Sequence, residues 1–126
     1  MGPVHLFALA SQHAQWLSVR QSAISENIAN ANTPGYKAVD TKPFEAALEQ
    51  TRLAMAQTEP RHMDFSATRF PVTDVQPEQT WEVVHSGNTV SLEQELLKAG
   101  EVRGAYALNT SVVKAFHRML LASTKG

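Results

Sequence analysis

The 126-residue chain contains no cysteine. That excludes disulfides, thiolate metal sites and cysteine nucleophiles together. It suits a chain that must stay unlocked while passing between redox compartments, as it suits many cytosolic proteins. No apolar run approaches the roughly 20 residues needed to span a bilayer. Met1 to Ala10 carry no basic n-region, and no small-residue cleavage site follows. The N-terminus therefore does not read as a secretory signal peptide, and export would need a route without one. An excess of one charge is also missing. Lys and Arg total 11 against 12 Asp and Glu, for a net charge of −1, and the basic residues are scattered. Nothing here draws the chain to nucleic acid or to an anionic membrane.

Signatures of chemistry are equally scarce. Histidines stand at His5, His13, His62, His85 and His117, with no pair four apart to make a metal-binding helix face. There is no Gly-rich phosphate loop and no G-x-S-x-G elbow. Glu93 and Glu95 are two apart on an expected helix and point to different sides. The expectation is no catalytic residue, no cofactor and no metal.

The length allows at most one domain, and what it contains is helix-forming periodicity at both ends. From about Val4 to Asn30, apolar residues recur in steps of three and four at Phe7, Ala10, Ala14, Leu17, Ile24, Ile28 and Ala31, with Gln21 in the one polar slot. This predicts a helix with a narrow coiled-coil seam. One helix of a compact bundle fits the same pattern. Leu6, Leu9, His13 and Trp16 flank the seam. For Trp16, a place in the core is favoured over a contact to another subunit. The helix should stop near Asn32, because Thr33-Pro34-Gly35 disfavours α geometry and supplies a type II turn with Gly35 at positive φ. Asn27, Asn30 and Asn32 crowd this end, and asparagine competes with the helix for backbone bonds.

A shorter helix is expected over about Pro43–Gln57, capped by Thr41, with Phe44, Leu48, Thr51 and Met55 on one face. Residues 58–90 hold Pro60, Pro71 and Pro77 and little helical period. This middle is expected to be loop-rich with up to two short strands, the best candidate being Thr80–His85 around Trp81, Val83 and Val84. Ser86-Gly87-Asn88 turns the chain. Ser91 and Gln94 then form a capping-box pair. Leu92, Leu96, Ala99, Val102, Tyr106, Val113, Phe116 and Leu120 follow in helical steps. Asn109 is either a register-setting seam asparagine or a residue facing solvent at a shifted phase. The organisation is thus a mainly α chain: residues 1–36 as helix and Asn-rich turn, 37–90 as short helix and loop or strand segment, and 91–126 as a second long helix. Each seam is valuable only when covered, by the other helix or by neighbouring copies.

The run Asn27-Ile28-Ala29-Asn30-Ala31-Asn32-Thr33-Pro34-Gly35-Tyr36-Lys37 resembles the N-terminal signature of the bacterial flagellar axial proteins, which form rod, hook and hook junctions. Shortness separates this chain from distal rod and hook members. Gly87-Asn88-Thr89-Val90, the acidic helix opening Ser91–Glu95, Phe44–Leu48 and Pro60-Arg61-His62 are similar to segments of the proximal rod members. Ser91 departs from the more usual Asp but still caps. A neighbouring short rod subunit and an unrelated coiled-coil adaptor are the alternatives.

The resemblance implies a structural subunit whose end helices pair as a coiled coil and pack against neighbours. It implies other copies, other rod and basal-body proteins and the flagellar type III export apparatus as partners. It also implies a place in the periplasmic rod. Interaction residues would be Asn27, Asn30, Asn32, Pro34, Gly35 and Tyr36 at the elbow, and Leu17, Ile24, Ile28, Val102, Tyr106, Val113, Phe116 and Leu120 along the seams. Tyr36 reads equally well as an ordinary half-buried aromatic after a turn.

Overall fold

A computed structural model describes residues 3–49, 72–75 and 86–125. The mainly helical architecture expected from the sequence holds. Helix α1 spans Pro3–Ala29, strand β1 Val39–Thr41, a short helix α2 begins at residue 44 and is described to 49, strand β2 covers Val72–Asp74, and helix α3 runs Leu92–Lys125. At ~1.5 Å per residue α1 is about 40 Å long and α3 about 50 Å. The strand candidate at 80–85, the helix positions Thr51 and Met55, and Pro60-Arg61-His62 lie outside the described residues.

The two long helices pack antiparallel. Arg20 meets Glu101, Tyr106 Oη donates to the Ala14 carbonyl at 3.2 Å, Asn109 Nδ2 donates to the Ala10 carbonyl at 3.2 Å, and the rings of Phe7 and Phe116 meet edge-on at 5.7 Å. Asn109 therefore faces α1 and not solvent. The core gathers Trp16, Leu17 and Ile24 of α1, Ala47 of α2 and Val102 of α3. Trp16 belongs to it, with its indole N–H donated to the Lys42 carbonyl at 2.9 Å. His13 and Phe44 stack around the same ring, so one aromatic cluster fastens the start of α2 onto α1.

Strands β1 and β2 form an antiparallel ladder, Val39 opposite Asp74 and Thr41 opposite Val72. Thr41 is consequently not the cap of α2. It ends β1, and the first helical bond of α2 runs from Ala47 N–H to the Pro43 carbonyl. The hydroxyl of Thr41 is engaged instead by Asp40, at 3.4 Å. Ser91 does cap α3: its carbonyl accepts from Glu95 N at 3.0 Å and its hydroxyl receives a long 3.5 Å bond from Gln94 N.

The seams run differently from expectation near the elbow. Ile28, Leu92 and Leu96 are exposed. Their places on the inner faces are taken by Asn27, Ser91 and Glu95, all buried, together with Arg20 and Lys98. Stepping back from Val102 by four, three and four residues leads through Lys98 and Glu95 to Ser91, and this is the helical phase the structure adopts. Leu17, Ile24 and Val102 lie in the core, while Tyr106, Val113, Phe116 and Leu120 are half-buried on the inward side. The helix pair is thus apolar at its free end and polar at its elbow end.

Candidate functional site

The polar end is built by two buried asparagines. Helix α1 stops at Ala29, one residue short of the expected span to Asn30 and ahead of the break expected near Asn32, and Asn30 N–H still bonds back to the Glu26 carbonyl at 3.1 Å. The Asn30 amide reinforces this with a 2.9 Å bond to the same carbonyl and accepts from the Thr33 hydroxyl. A turn closes next, with Tyr36 N–H on the Thr33 carbonyl at 3.2 Å and Gly35 at φ 74°. That bond and that angle are those of the type II turn expected from Pro34-Gly35.

Asn27 has no exposed surface, and its amide serves the chain that returns from the turn. Nδ2 donates to the Val39 carbonyl at 2.8 Å, and Oδ1 accepts from Val39 N–H at 2.9 Å and from the Tyr36 hydroxyl at 3.3 Å. One side chain thus imitates a strand partner for the first residue of β1. Ile28 could not do this, since a buried backbone N–H and C=O need polar partners.

Asn88 completes the elbow from 58 residues along the chain. It is 1% exposed, and its Nδ2 lies 2.8 Å from the Asn30 carbonyl, 3.0 Å from that of Ala31 and 2.8 Å from that of Thr33. Two N–H groups serve three acceptors, so one hydrogen is shared. Its Oδ1 accepts from Val90 N–H at 2.8 Å. The carbonyls that trail a helix end are thereby satisfied by a remote side chain. Around it, Gly35 N–H bonds the Ser86 carbonyl, Thr89 N–H bonds the Tyr36 carbonyl, the Thr89 hydroxyl accepts from Ala38 N–H, and Lys37 Nζ reaches the Gly87 carbonyl. Gly87 is also at positive φ, 81°, and a Cβ added to it would lie 3.7 Å from the Cα of Gly35. Pro34 and Asn32 are exposed at the rim of this clasp.

A chain of charges extends from the elbow. Glu101 meets Arg20 at 3.3 Å, Arg20 meets Asp40 at 3.3 Å, Asp40 meets Lys98 at 3.4 Å, and Lys98 meets Glu95 at 3.4 Å. It joins α1, β1 and α3 through alternating signs. Glu95 is 1% exposed, and among the described residues its second oxygen has no hydrogen-bond partner. Among the described residues no group of three His, Asp or Glu is placed to hold a metal. What this arrangement can do is hold a bend rigid and align two long helices.

Asn27, Asn30, Gly35 and Tyr36, expected at the elbow, lie at the end of α1 and in the turn that follows it. The sequence did not disclose the part of Asn88, Arg20, Asp40 or Lys98. It marks Ser86-Gly87-Asn88 as a turn and Gly87-Asn88-Thr89-Val90 by resemblance, but neither reading assigns the Asn88 amide to the end of α1. The chemical signal of Asn88 is a short polar residue beside a turn glycine, facing a helix end rich in unpaired carbonyls.

The family profile described as "Flagella basal body rod protein" matches residues 14–37, the second half of α1 and the elbow. Over the whole length the chain is similar to the flagellar basal body rod protein FlgB of Agrobacterium fabrum, 45% identical over 99% of this chain and 96% of the relative. The chain belongs to the flagellar basal body rod protein family. FlgB of Buchnera aphidicola is 30% identical over 74% of each chain, and FlgB of Bacillus subtilis 34% over 66% of this chain and 64% of its own. Likeness to FlgB along the full length favours the proximal rod members over the neighbouring short rod subunit. The family profile falls on Asn27 and the Pro34-Gly35 turn, the near half of the clasp, and stops short of Asn88, the far half.

Two expected results follow from the elbow of this rod-family chain. Gly35→Val should lower stability by about 1–2 kcal/mol, the cost of left-handed geometry for an L-residue, with a β-branched side chain at the upper end. An added Cβ at Gly35 meets nothing within 4 Å, so the loss is one of backbone conformation alone. Gly35→Asn, which tolerates this region, should lose clearly less. Urea midpoints of the two variants make the comparison, and equal losses would contradict it. Asp40→Asn leaves Arg20 and Lys98 facing each other without their shared carboxylate. At low ionic strength it should cost about 1–3 kcal/mol, less than a fully buried pair because the side chain is 21% exposed. The deficit should shrink in 1 M salt, where the screening length is about 3 Å.

Proposed function

We propose that this chain is a structural subunit of the proximal rod of the bacterial flagellar basal body. The observation that carries this is the full-length likeness to FlgB of Agrobacterium fabrum at 45% identity. The fold suits the role. A rigid elbow aligning two long helices gives a subunit much surface for its mass, and that surface carries exposed leucines and methionine.

On this reading α1 and α3 pair as a coiled coil, and the subunit polymerises with other copies and with other rod and basal-body proteins. It carries out no reaction of its own. It reaches the periplasmic rod through the flagellar type III export apparatus without a cleaved signal peptide. Its helices are consistent with that course, for none described is long and apolar enough to cross a membrane. Elbow residues Asn27, Asn30 and Tyr36 act by shaping the subunit. Seam residues from Leu17 to Leu120 act by burial within it and against neighbours.

Deleting the gene from its flagellated host should abolish motility, and the plasmid-borne chain should restore it. The chain should then be found in isolated basal bodies by immunoblot. In cells lacking a working export apparatus it should stay in the cytoplasm. Normal flagella in the deletion strain would refute the proposal.

A further inference from the structure

Helix α3 carries more apolar surface than its partner covers. Beyond the inward set, a second series lies at Leu108, Val112 and Met119, with Gly104 and Ala115 at the intervening steps of three and four, and Leu97 continues the line seven residues before Gly104, beyond Glu101, which is paired with Arg20. At about 100° per residue this stripe sits roughly 120° around the helix from the inward face. All four large residues are exposed, Leu108 at 67% and Met119 at 65%. One neighbouring helix cannot reach both stripes, and α1 is already committed to the inner one.

The outward face of α1 has the opposite character. Ser11, Gln15, Ser18, Ser22 and Ser25 follow one another in the same steps of four and three, and all are exposed. Between His5 and Glu26 no exposed residue of α1 carries a full charge, because Arg20, the one ionised side chain there, is turned to Asp40 and Glu101. Five turns of outward helix without an exposed charge is unusual for a surface that stays in water. It is the kind of face an apolar stripe covers at least cost, since burying an unpaired charge is far dearer than burying a hydroxyl that can bond its own helix backbone.

We infer that the outward stripe of α3 in one copy seats on the serine-rich face of α1 in a second copy of this chain. The contact repeats between copies the antiparallel α1–α3 pairing already present within each. It is heterologous: each copy offers one stripe and one serine face, so association does not close at two and extends into a ring or filament. Pairing of α3 with α3 would be isologous. It would close at a dimer and leave the serine face bare. The inference rests on the rod-subunit reading and specifies which surfaces join the copies.

Because the chain has no cysteine, introduced thiols are the sole ones. Chains carrying Ser18→Cys and chains carrying Leu108→Cys are co-expressed in the deletion host and treated with a short bismaleimide, which accommodates more than one axial register. Basal bodies are then isolated. A product of twice the chain mass is expected from the mixture and from neither variant alone, and the double variant should give a ladder. Ser22→Cys with Val112→Cys provides a second pair at exposed or largely exposed positions, so that one poorly folding variant does not decide the matter. Self-crosslinking of Leu108→Cys alone would overturn the inference in favour of α3–α3 pairing. Monomer only, for both pairs, in basal bodies that contain the chain would overturn it as well. Absence of the wild-type chain from basal bodies would instead overturn the rod reading, and this inference with it.

Discussion

Asn88→Asp is expected to destabilise the protein more than Asn88→Ala, although aspartate has nearly the shape of asparagine. The amide nitrogen of Asn88 faces three carbonyl oxygens at 2.8 to 3.0 Å. Alanine removes the donor and leaves those acceptors to share fewer bonds in a buried place, a loss of about 2–4 kcal/mol by the cost of unmade bonds and a small cavity. A carboxylate puts a fourth oxygen and a negative charge against them, which repels as well as fails to donate. The sign of the pH response distinguishes the two. The environment disfavours the charged form, so the folded-state pKa of the introduced aspartate lies above its unfolded value. Its penalty is therefore full at neutral pH and diminishes as pH falls through that raised value, where a protonated carboxyl can donate once. Asn88→Ala should show no such recovery relative to wild type. Denaturation midpoints across pH 4 to 7 would measure both variants, and an aspartate variant as stable as wild type at pH 7 would remove Asn88 from the clasp.

Val102→Asp is expected to have the second large effect. Val102 is 2% exposed and packs with Trp16, Leu17, Ile24 and Ala47. An unpaired carboxylate among these costs about 3–5 kcal/mol, a large part of the stability of a domain this size. The variant should lose its cooperative unfolding transition, and its host should swim no better than the deletion strain. Val102→Ala, which removes about two methylene equivalents at ~0.8 kcal/mol each, should keep the transition at a lower midpoint. Phe116→Glu probes the free end of the same helix pair. Phe116 is half-buried and rests edge-on against Phe7, so the global loss should be smaller. The disturbance should be local, read as faster hydrogen exchange in α1 near Phe7 and in α3 beyond Asn109. Unchanged exchange there would mean that the ends of α1 and α3 are not held by this contact.

The limits of a hydrophobic pattern are visible at one end of this molecule. Away from the elbow, Leu17, Ile24 and Val102 are buried where three-four stepping placed them, and Tyr106, Val113, Phe116 and Leu120 are half-buried, while Ala23 of α1 and Ala47 of α2 are buried off the expected faces. Near the elbow the pattern named Ile28, Leu92 and Leu96, and all three face outward. A count of apolar residues prefers them over Asn27, Ser91 and Glu95. The folded chain prefers the polar ones because its turn brings backbone groups inside that must be bonded. Extra apolar residues on α3 misled for a related reason, since that helix carries apolar residues on more than one face and a one-dimensional pattern does not say which face the chain itself will cover.

Several features were determined by the sequence alone. Pro34-Gly35 required a turn with positive φ at residue 35, because proline sets one dihedral and only glycine enters the other region without strain. Periodicity at both ends required two long helices, and Ser91 before an acidic first turn marked where the second begins. These are local properties, set within a few residues of one another. The tertiary structure alone decided that Asn88 serves the end of α1 from 58 residues away. It also decided that Arg20, Asp40 and Lys98 meet, and which stripe of α3 stays exposed. Hydrogen bonds and ion pairs depend on atoms closing to within about 3 Å. Between residues so distant in sequence, only the packing of the helices and the path of the intervening chain settle that distance.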